Sequence, residues 1–178
     1  DPIDGTKKFM TGNPLFGTLI SLNRDGRPIL GIIDTPALDE TWLGAKGKGA
    51  FFLKGGEQAQ IHCRACAYLK DAALYTTSPD MFTGPDEKPF EHLKKSVFFP
   101  LFGGECYAYG LVASGYADLA VEGHMSIYDY LSHVPIVTEA GGVMTDWEGL
   151  ALGLDSGHKV IAAGDPRCHA AALEILKG

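Results

Sequence analysis

The stretch that decides the fold of this chain is Asp1-Pro2-Ile3-Asp4-Gly5-Thr6. Its two carboxylates lie three positions apart and supply the hard oxygen ligands that Mg²⁺ prefers, while Pro2 stiffens the segment between them. Gly5 lets a ligand approach the backbone closely, and Thr6 opens a predicted short helix whose first turn attracts an anion. The stretch therefore predicts a metal site beside a phosphate site. An Asx turn or a helix N-cap explains the same residues, because Asp-Gly-Thr is good chemistry for both.

A second informative stretch lies far downstream. Tyr128-Asp129-Tyr130-Leu131 begins a predicted helix that runs on to Glu139-Ala140-Gly141-Gly142. Taken alone, Asp129 is more typical of a helix N-cap than of a metal ligand. Beside the first stretch it becomes the better candidate for a ligand.

Together the two stretches resemble the signatures of the inositol monophosphatase family of metal-dependent phosphatases. The first is similar to Asp-Pro-(Ile/Leu)-Asp-Gly-Thr followed by an aromatic residue, here Phe9, and the second to an aromatic–Asp pair opening a helix that ends in Gly-Gly. The resemblance covers nearly the whole chain, and residues 12–20 and 103–109 look most like the histidinol-phosphate phosphatase branch. The fold that it implies is an α/β (α+β) layered α/β/α/β/α sandwich built from two sheets, with the N-terminal segment of the sandwich lacking in this chain.

The resemblance also implies roles for individual residues. The implied metal ligands are the carboxylates of Asp1, Asp4 and Asp129 and the main-chain carbonyl of Ile3. Gly5 and Thr6 would cradle the phosphate, and Asp4 and Thr6 would be catalytic. The implied cofactor is Mg²⁺, and the implied reaction is phosphomonoester hydrolysis by metal-activated water.

Two further carboxylates, Glu105 and Glu122, are the candidates for substrate recognition. Glu122 matches a family position that contacts the alcohol part of the substrate, as Asp129 does, whereas Glu105 lies at a helix start where many relatives have a small or hydroxyl residue. Charge-assisted hydrogen bonds to Glu105 and Glu122 would favour the ammonium and imidazolium of histidinol over neutral inositol. Glu105 also fits a plain helix N-terminus.

The leading interpretation is a phosphatase that acts on L-histidinol phosphate in histidine biosynthesis. Inositol monophosphate, fructose bisphosphate and phosphoadenosine phosphate are alternatives within the class. The family places a helical region and a strand before the first signature, which contribute another metal carboxylate and a water-orienting group. We therefore expect residues 1–178 to form a single domain that is the C-terminal portion of a phosphatase domain, and a non-catalytic metal- or phosphate-binding fragment is the alternative from another class.

The composition of the chain restricts the classes of partner that it can bind. The chain has 178 residues, of which 46% are hydrophobic, and a net charge of -7, so it can bury a core and makes an unlikely nucleic-acid binder. No apolar run reaches the roughly 18 residues of a membrane span. Four cysteines suit a reducing compartment, so we expect a cytoplasmic location. The expected partners are a small phosphorylated alcohol as substrate and a second copy of the chain in a homodimer. His62-Cys63 with Cys66 forms only half of a zinc pattern.

Hydrophobic periodicity predicts antiparallel strands in the first third, at residues 16–22, 28–33, 41–45 and 50–53, and another strand at 72–76. Further on, helices are predicted at 87–96, 106–113, 127–140 and 166–176 and strands at 97–99, 117–121, 143–145 and 159–163. Pro135 removes a backbone donor from the third helix, so a kink or a break near Ser132 is expected.

Overall fold

The computed structural model describes all of residues 1–178. The strands are β1 (Thr18–Arg24), β2 (Arg27–Thr35), β3 (Glu40–Ala45), β4 (Gly49–Lys54), β5 (Glu57–Ile61), β6 (Ala73–Thr76), β7 (Phe99–Phe102), β8 (Leu119–Glu122), β9 (Val143–Asp146) and β10 (Val160–Ala163). The helices are α1 (Thr6–Met10), α2 (Glu87–Ser96), α3 (Glu105–Ala113), α4 (Ile127–Tyr130), α5 (His133–Glu139) and α6 (Pro166–Lys177).

The first sheet is an antiparallel meander in the order β1-β2-β3-β4-β5, as the alternating pattern predicts. Its register aligns Leu19, Ile33 and Trp42 in one row across the sheet, and all three side chains are buried. Ile20, the neighbour of Leu19, points to the opposite face and is exposed. The sequence analysis missed β5 because Glu-Gln-Ala-Gln-Ile has little β-propensity and is exposed almost throughout.

The second sheet is mixed and has the order β7-β6-β8-β10-β9. β6 is parallel to β7 and β8, whereas β10 is antiparallel to β8 and β9. β8 and β10 are buried along their whole length because helices cover both faces of this sheet. The predicted strand at 97–99 begins later, at Phe99, where pairing with Ala73 starts.

The two sheets enclose a layer of helices. α3 and α5 pack between them, against β2 on one side and against β9 and β10 on the other, while α2 and α6 lie on the far face of the second sheet. One apolar cluster fills the space between the sheets and a second lies under α2 and α6. The layers follow the order sheet, helices, sheet, helices, which agrees with the predicted α/β sandwich built from two sheets. None of the six helices combines the length and the apolar character needed to cross a bilayer.

The long helix predicted at 127–140 is broken, as expected, into α4 and α5. The break falls at Leu131 and Ser132, so Pro135 lies in the first turn of α5. A proline is tolerated there, because the first turn of a helix leaves its N–H groups without intrahelical partners. The break turns the chain at the point where α5 meets the first sheet.

Close contact between α5 and the first sheet depends on two glycines. A Cβ atom added to Gly31 would lie 1.8 Å from the Ser132 carbonyl oxygen, and one added to Gly44 would lie 2.5 Å from the Ile136 Cα. No real side chain fits at such distances, so each substitution would push α5 off the sheet.

We expect Gly31→Ala to lower the free energy of unfolding by about 3 kcal/mol, the upper end of the usual cost of overpacking. Urea denaturation of the variant and of Gly157→Ala provides the comparison, because a Cβ at Gly157 would meet nothing within 4 Å. Equal midpoints for the two variants would show that α5 and β2 are not held in this contact.

Candidate active site

Seven of the eight site residues that the sequence predicts line one cleft of about 330 Å³, here called the aspartate cleft. They are Asp1, Asp4, Gly5, Thr6, Glu105, Glu122 and Asp129. The eighth, Ile3, does not line it, and its carbonyl oxygen accepts a hydrogen bond of 3.1 Å from the Thr6 hydroxyl. Residues far apart in the chain therefore share one site.

Three carboxylates form the core of the aspartate cleft. Asp1, Asp4 and Asp129 each offer one oxygen, and these oxygens lie within 4.8 Å of one another. This is the only group of three or more acidic, histidine or cysteine side chains with such spacing in the molecule. The predicted meeting of Asp4 and Asp129 is thus present in the structure.

The backbone holds the first two carboxylates beside β1. The Asp4 and Gly17 main chains exchange two hydrogen bonds, of 2.8 and 3.1 Å, and the Leu19 N–H donates to the Asp1 carbonyl at 2.8 Å. The α-amino group of Asp1 donates to the Leu19 carbonyl at 3.1 Å. Residues 1–4 therefore continue the edge of the first sheet, which fixes their position.

Two backbone N–H groups orient the carboxylates themselves. The N–H of Cys106 donates to Asp4 Oδ2 at 2.9 Å, and that of Ser126 donates to Asp129 Oδ2 at 2.8 Å. The N-cap of α4 is Ser126 rather than Asp129, which is the third residue of the helix, bonds the Ser126 N–H and also faces the cleft. The Ser-x-x-Asp spacing of a capping box is a sequence signal for the contact between Ser126 and Asp129. No local signal marks the contact between Cys106 and Asp4.

The turn at Gly5, where the sequence predicts a phosphate cradle, requires a glycine. Gly5 has φ of 73°, in the left-handed region that favours glycine, and a Cβ there would lie 3.1 Å from the Leu15 carbonyl oxygen. Lys7 lines the same cleft. Lys8 lies beside Glu105, with its Nζ 3.8 Å from Glu105 Oε2.

Glu105 and Glu122 face the cleft in different ways. Glu105 Oε2 is buried without a hydrogen-bond partner, and the residue has φ of 44°, which is unfavourable for a side chain larger than glycine. Such a backbone does not suit a residue kept only to improve a helix start. Glu122 is buried and accepts hydrogen bonds from the Thr77 N–H at 2.8 Å and the Thr77 hydroxyl at 3.0 Å.

Comparison with known proteins agrees with this geometry. The model of the inositol monophosphatase family matches residues 1–177. The chain belongs to this family.

Curated relatives of the family include a chloroplastic bifunctional phosphatase of Arabidopsis thaliana, 45% identical over 99% of this chain and 52% of its own length. A histidinol-phosphatase of Chlorobaculum parvum is 37% identical over 84% of this chain and 56% of its own length. The structure of an inositol monophosphatase from Zymomonas mobilis superposes with a TM-score of 0.94 at 44% identity, covering 100% of this chain and 69% of that one. The chain therefore spans about half the length of the curated relatives that it matches.

The donor set of this family member fits a hard divalent cation. Burial raises the pKa of Asp129, the Ser126 N–H opposes this, and the charge of Asp4 raises it further. The repulsion between the Asp4 and Asp129 charges makes it unfavourable to keep both carboxylates ionised in one cleft. A divalent cation would offset this repulsion. Carboxylate oxygens are the ligands that Mg²⁺ prefers.

Glu122 contributes less negative charge than the sequence analysis assumed. Burial raises its pKa to about 8, although hydrogen bonds from Thr77 and Thr76 favour the charged form. Burial therefore favours the protonated form of Glu122, whereas Glu105 has the ammonium of Lys8 3.8 Å away. Burial raises the pKa of Glu105 as well, but the ammonium of Lys8 lowers it.

The Glu122 shift makes stability pH-dependent. Because its pKa is higher in the folded state than in the unfolded state, the folded state binds more protons between the two pKa values, and stability falls as pH rises toward about 8. We expect a slope on the order of 1 kcal/mol per pH unit, which Glu122→Gln removes. Urea unfolding at a series of pH values, without divalent metal, measures it. Parallel pH profiles for the variant and the unmodified chain would contradict the assignment.

No cysteine or histidine side chain belongs to the cluster of Asp1, Asp4 and Asp129. All four cysteines are free, and burial raises the pKa of Cys63 to about 11, as expected for a packed thiol. His124 lines the rim of the cleft but is exposed, whereas His133 is buried against the Tyr109 ring, with centroids 4.2 Å apart.

Proposed function

We propose that this chain is the C-terminal portion of a Mg²⁺-dependent phosphomonoester hydrolase. The observation that carries the proposal is the group of three carboxylates, one oxygen from each within 4.8 Å of the others, beside the left-handed turn at Gly5. Paired or single divalent ions bound in this way are a common device of phosphoryl-transfer sites.

In this proposal the chain's own residues bind and orient. Asp1, Asp4 and Asp129 would hold the metal, with the Ile3 carbonyl as a further ligand. Held by these residues, Mg²⁺ would act as a Lewis acid toward a phosphoryl oxygen and would lower the pKa of a bound water. The Cys106 N–H keeps Asp4 in place for this role at 2.9 Å.

The phosphate is assigned to the backbone turn at Gly5 and Thr6. Gly5 leaves room for an anion to approach the main chain, and Lys7 lines the cleft beside it and adds a positive charge. The Thr6 hydroxyl donates to the Ile3 carbonyl at 3.1 Å, which ties the turn to the proposed metal ligands.

We propose L-histidinol phosphate as the substrate, with Glu105 and Glu122 facing its alcohol portion. The support is the charge of Glu105 together with the likeness to a histidinol-phosphatase of Chlorobaculum parvum at 37% identity. Inositol monophosphate is the first alternative, favoured by the likeness to the inositol monophosphatase of Zymomonas mobilis.

A phosphate-release assay tests the activity. The 178-residue chain and a version extended upstream are compared with histidinol phosphate and inositol 1-phosphate, with Mg²⁺ and with a chelator in its place. We expect release by the extended version only in Mg²⁺. Release by neither version would favour the alternative of a non-catalytic phosphate- or metal-binding fragment.

We further propose a homodimer in the cytoplasm. The edge strand β7 and the residue before it expose Phe98, Phe99 and Phe102, an apolar row suited to a second copy. The free thiols suit a reducing compartment. Light scattering on the unmodified protein and on Phe98→Ser tests the homodimer. Imaging of the tagged protein in its source cells tests the cytoplasmic location.

A further inference from the structure

A second cavity, of about 360 Å³, opens between the first sheet and α3 and shares no lining residue with the aspartate cleft. We call it the aromatic pocket. Its aromatic lining consists of Trp42, Phe52, Tyr107 and Tyr116, and its charged lining consists of Glu40 and Lys54. Nothing in the proposed phosphatase reaction uses it.

The charged pair of the aromatic pocket retains unused hydrogen-bonding capacity. Glu40 accepts one bond of 2.7 Å from Lys54 and one of 2.8 Å from the Tyr107 hydroxyl, and its side chain is only 11% exposed. A carboxylate has about four acceptor sites and an ammonium has three donors. A ligand with one cationic and one anionic group can therefore bind both partners without breaking their mutual contact.

The aromatic walls suit a flat ring. The Trp42 ring lies with its centroid 5.0 Å from that of Phe52 and 5.1 Å from that of Tyr107. Trp42 is itself buried, and its indole N–H donates to the Ser114 hydroxyl at 2.9 Å, so it backs the half-buried rings of Phe52 and Tyr107, which form the accessible apolar wall. Planar rings pack well against such surfaces in offset or edge-on arrangements.

We propose that the aromatic pocket binds an aromatic α-amino acid. Its ammonium would bind Glu40, its carboxylate would bind Lys54, and its ring would lie against the aromatic walls. A volume of about 360 Å³ is within the usual range of small-molecule sites. A ligand that carries only a cation would leave the Lys54 ammonium without an anionic partner of its own. A ligand that carries only an anion would place that anion near the carboxylate of Glu40.

Isothermal titration calorimetry on the full-length protein tests this with L-tryptophan, tryptamine and indole-3-propionate. We expect saturable binding of L-tryptophan at one site and at least about tenfold weaker binding of the other two, because each lacks one charged contact. Saturating inorganic phosphate and Mg²⁺ should leave the affinity unchanged, since the aspartate cleft is separate. Absence of saturable tryptophan binding in the millimolar range, equal binding of tryptamine, or competition by phosphate would each overturn the proposal.

Variants place the ligand in the pocket. Tyr116→Ala removes a wall residue that is 74% exposed, so it leaves the core intact, and it should weaken tryptophan binding about fivefold. Glu40→Gln should weaken it about tenfold, and if that variant does not fold, Tyr116→Ala decides alone. Tyr68→Ala, at a tyrosine outside the pocket that is 65% exposed, is the matched control and should bind as the unmodified protein does. Unchanged affinity in Tyr116→Ala would overturn the assignment.

Discussion

Asp4→Asn is expected to lower phosphatase turnover in the upstream-extended protein by about 10³-fold or more, because metal-ion catalysis contributes several kcal/mol of transition-state stabilisation. The substitution removes one charge from the aspartate cluster and keeps the shape of the side chain. The Cys106 N–H can still donate to the amide oxygen, and the two main-chain bonds to Gly17 are unaffected. The fold should therefore persist while Mg²⁺ affinity and turnover fall together.

The matched control is Asp155→Asn. Asp155 pairs with Arg27 at 3.4 Å on the surface, with its side chain 78% exposed, so loss of its charge has little effect. Circular dichroism checks the fold of both variants, and calorimetric titration with Mg²⁺ reports the metal affinity. Near-normal turnover of Asp4→Asn in Mg²⁺ would remove Asp4 from the catalytic assignment.

The sequence predicts most of this fold because its patterns are local. Alternation of apolar residues fixes the strands of the first sheet, and Pro135 marks the region in which the long helix breaks. β5 escapes this reasoning because its residues lie at an exposed edge, where burial imposes no alternation. Its position follows from pairing with β4 instead.

The candidate site is predictable only in part. The acidic residues stand in recognisable stretches, but the groups that orient Asp4 and Glu122 are distant in sequence. Thr77 is 45 positions from the Glu122 that it contacts, and Cys106 is 102 positions from Asp4. The Cys106 and Thr77 N–H groups carry no sequence signature, so these two contacts appear only when the two sheets and α3 are assembled.

Burial also changed the interpretation of the two glutamates. From sequence alone, Glu105 and Glu122 are equivalent negative charges near the substrate. The structure separates them, since Glu122 is enclosed and hydrogen-bonded by Thr77 whereas Glu105 retains a buried oxygen without a hydrogen bond. Desolvation of a side chain depends on packing from several elements, which no local pattern encodes.

Glu105→Gln should therefore discriminate between substrates. The amide keeps the size and the hydrogen bonding of the side chain but removes its charge. Charge-assisted hydrogen bonds contribute roughly 1.5–3 kcal/mol, so kcat/KM for histidinol phosphate should fall about 10- to 150-fold. Hydrolysis of inositol 1-phosphate, whose alcohol portion is neutral, should change little. Steady-state kinetics in the upstream-extended protein with Mg²⁺ measures kcat/KM for both substrates, and the ratio of the two values reports the selectivity.

The pH dependence gives this prediction a second readout. Burial raises the pKa of Glu105, so its charge is lost on acidification sooner than that of an ordinary glutamate. The preference for histidinol phosphate should accordingly decline as pH is lowered in the unmodified protein and stay flat in Glu105→Gln. Glu91→Gln, which removes a surface partner of Lys94, is the control and should keep both the preference and its pH profile. An equal loss on both substrates would mean that Glu105 supports the metal site or the fold, because only contact with the cationic alcohol makes the loss selective.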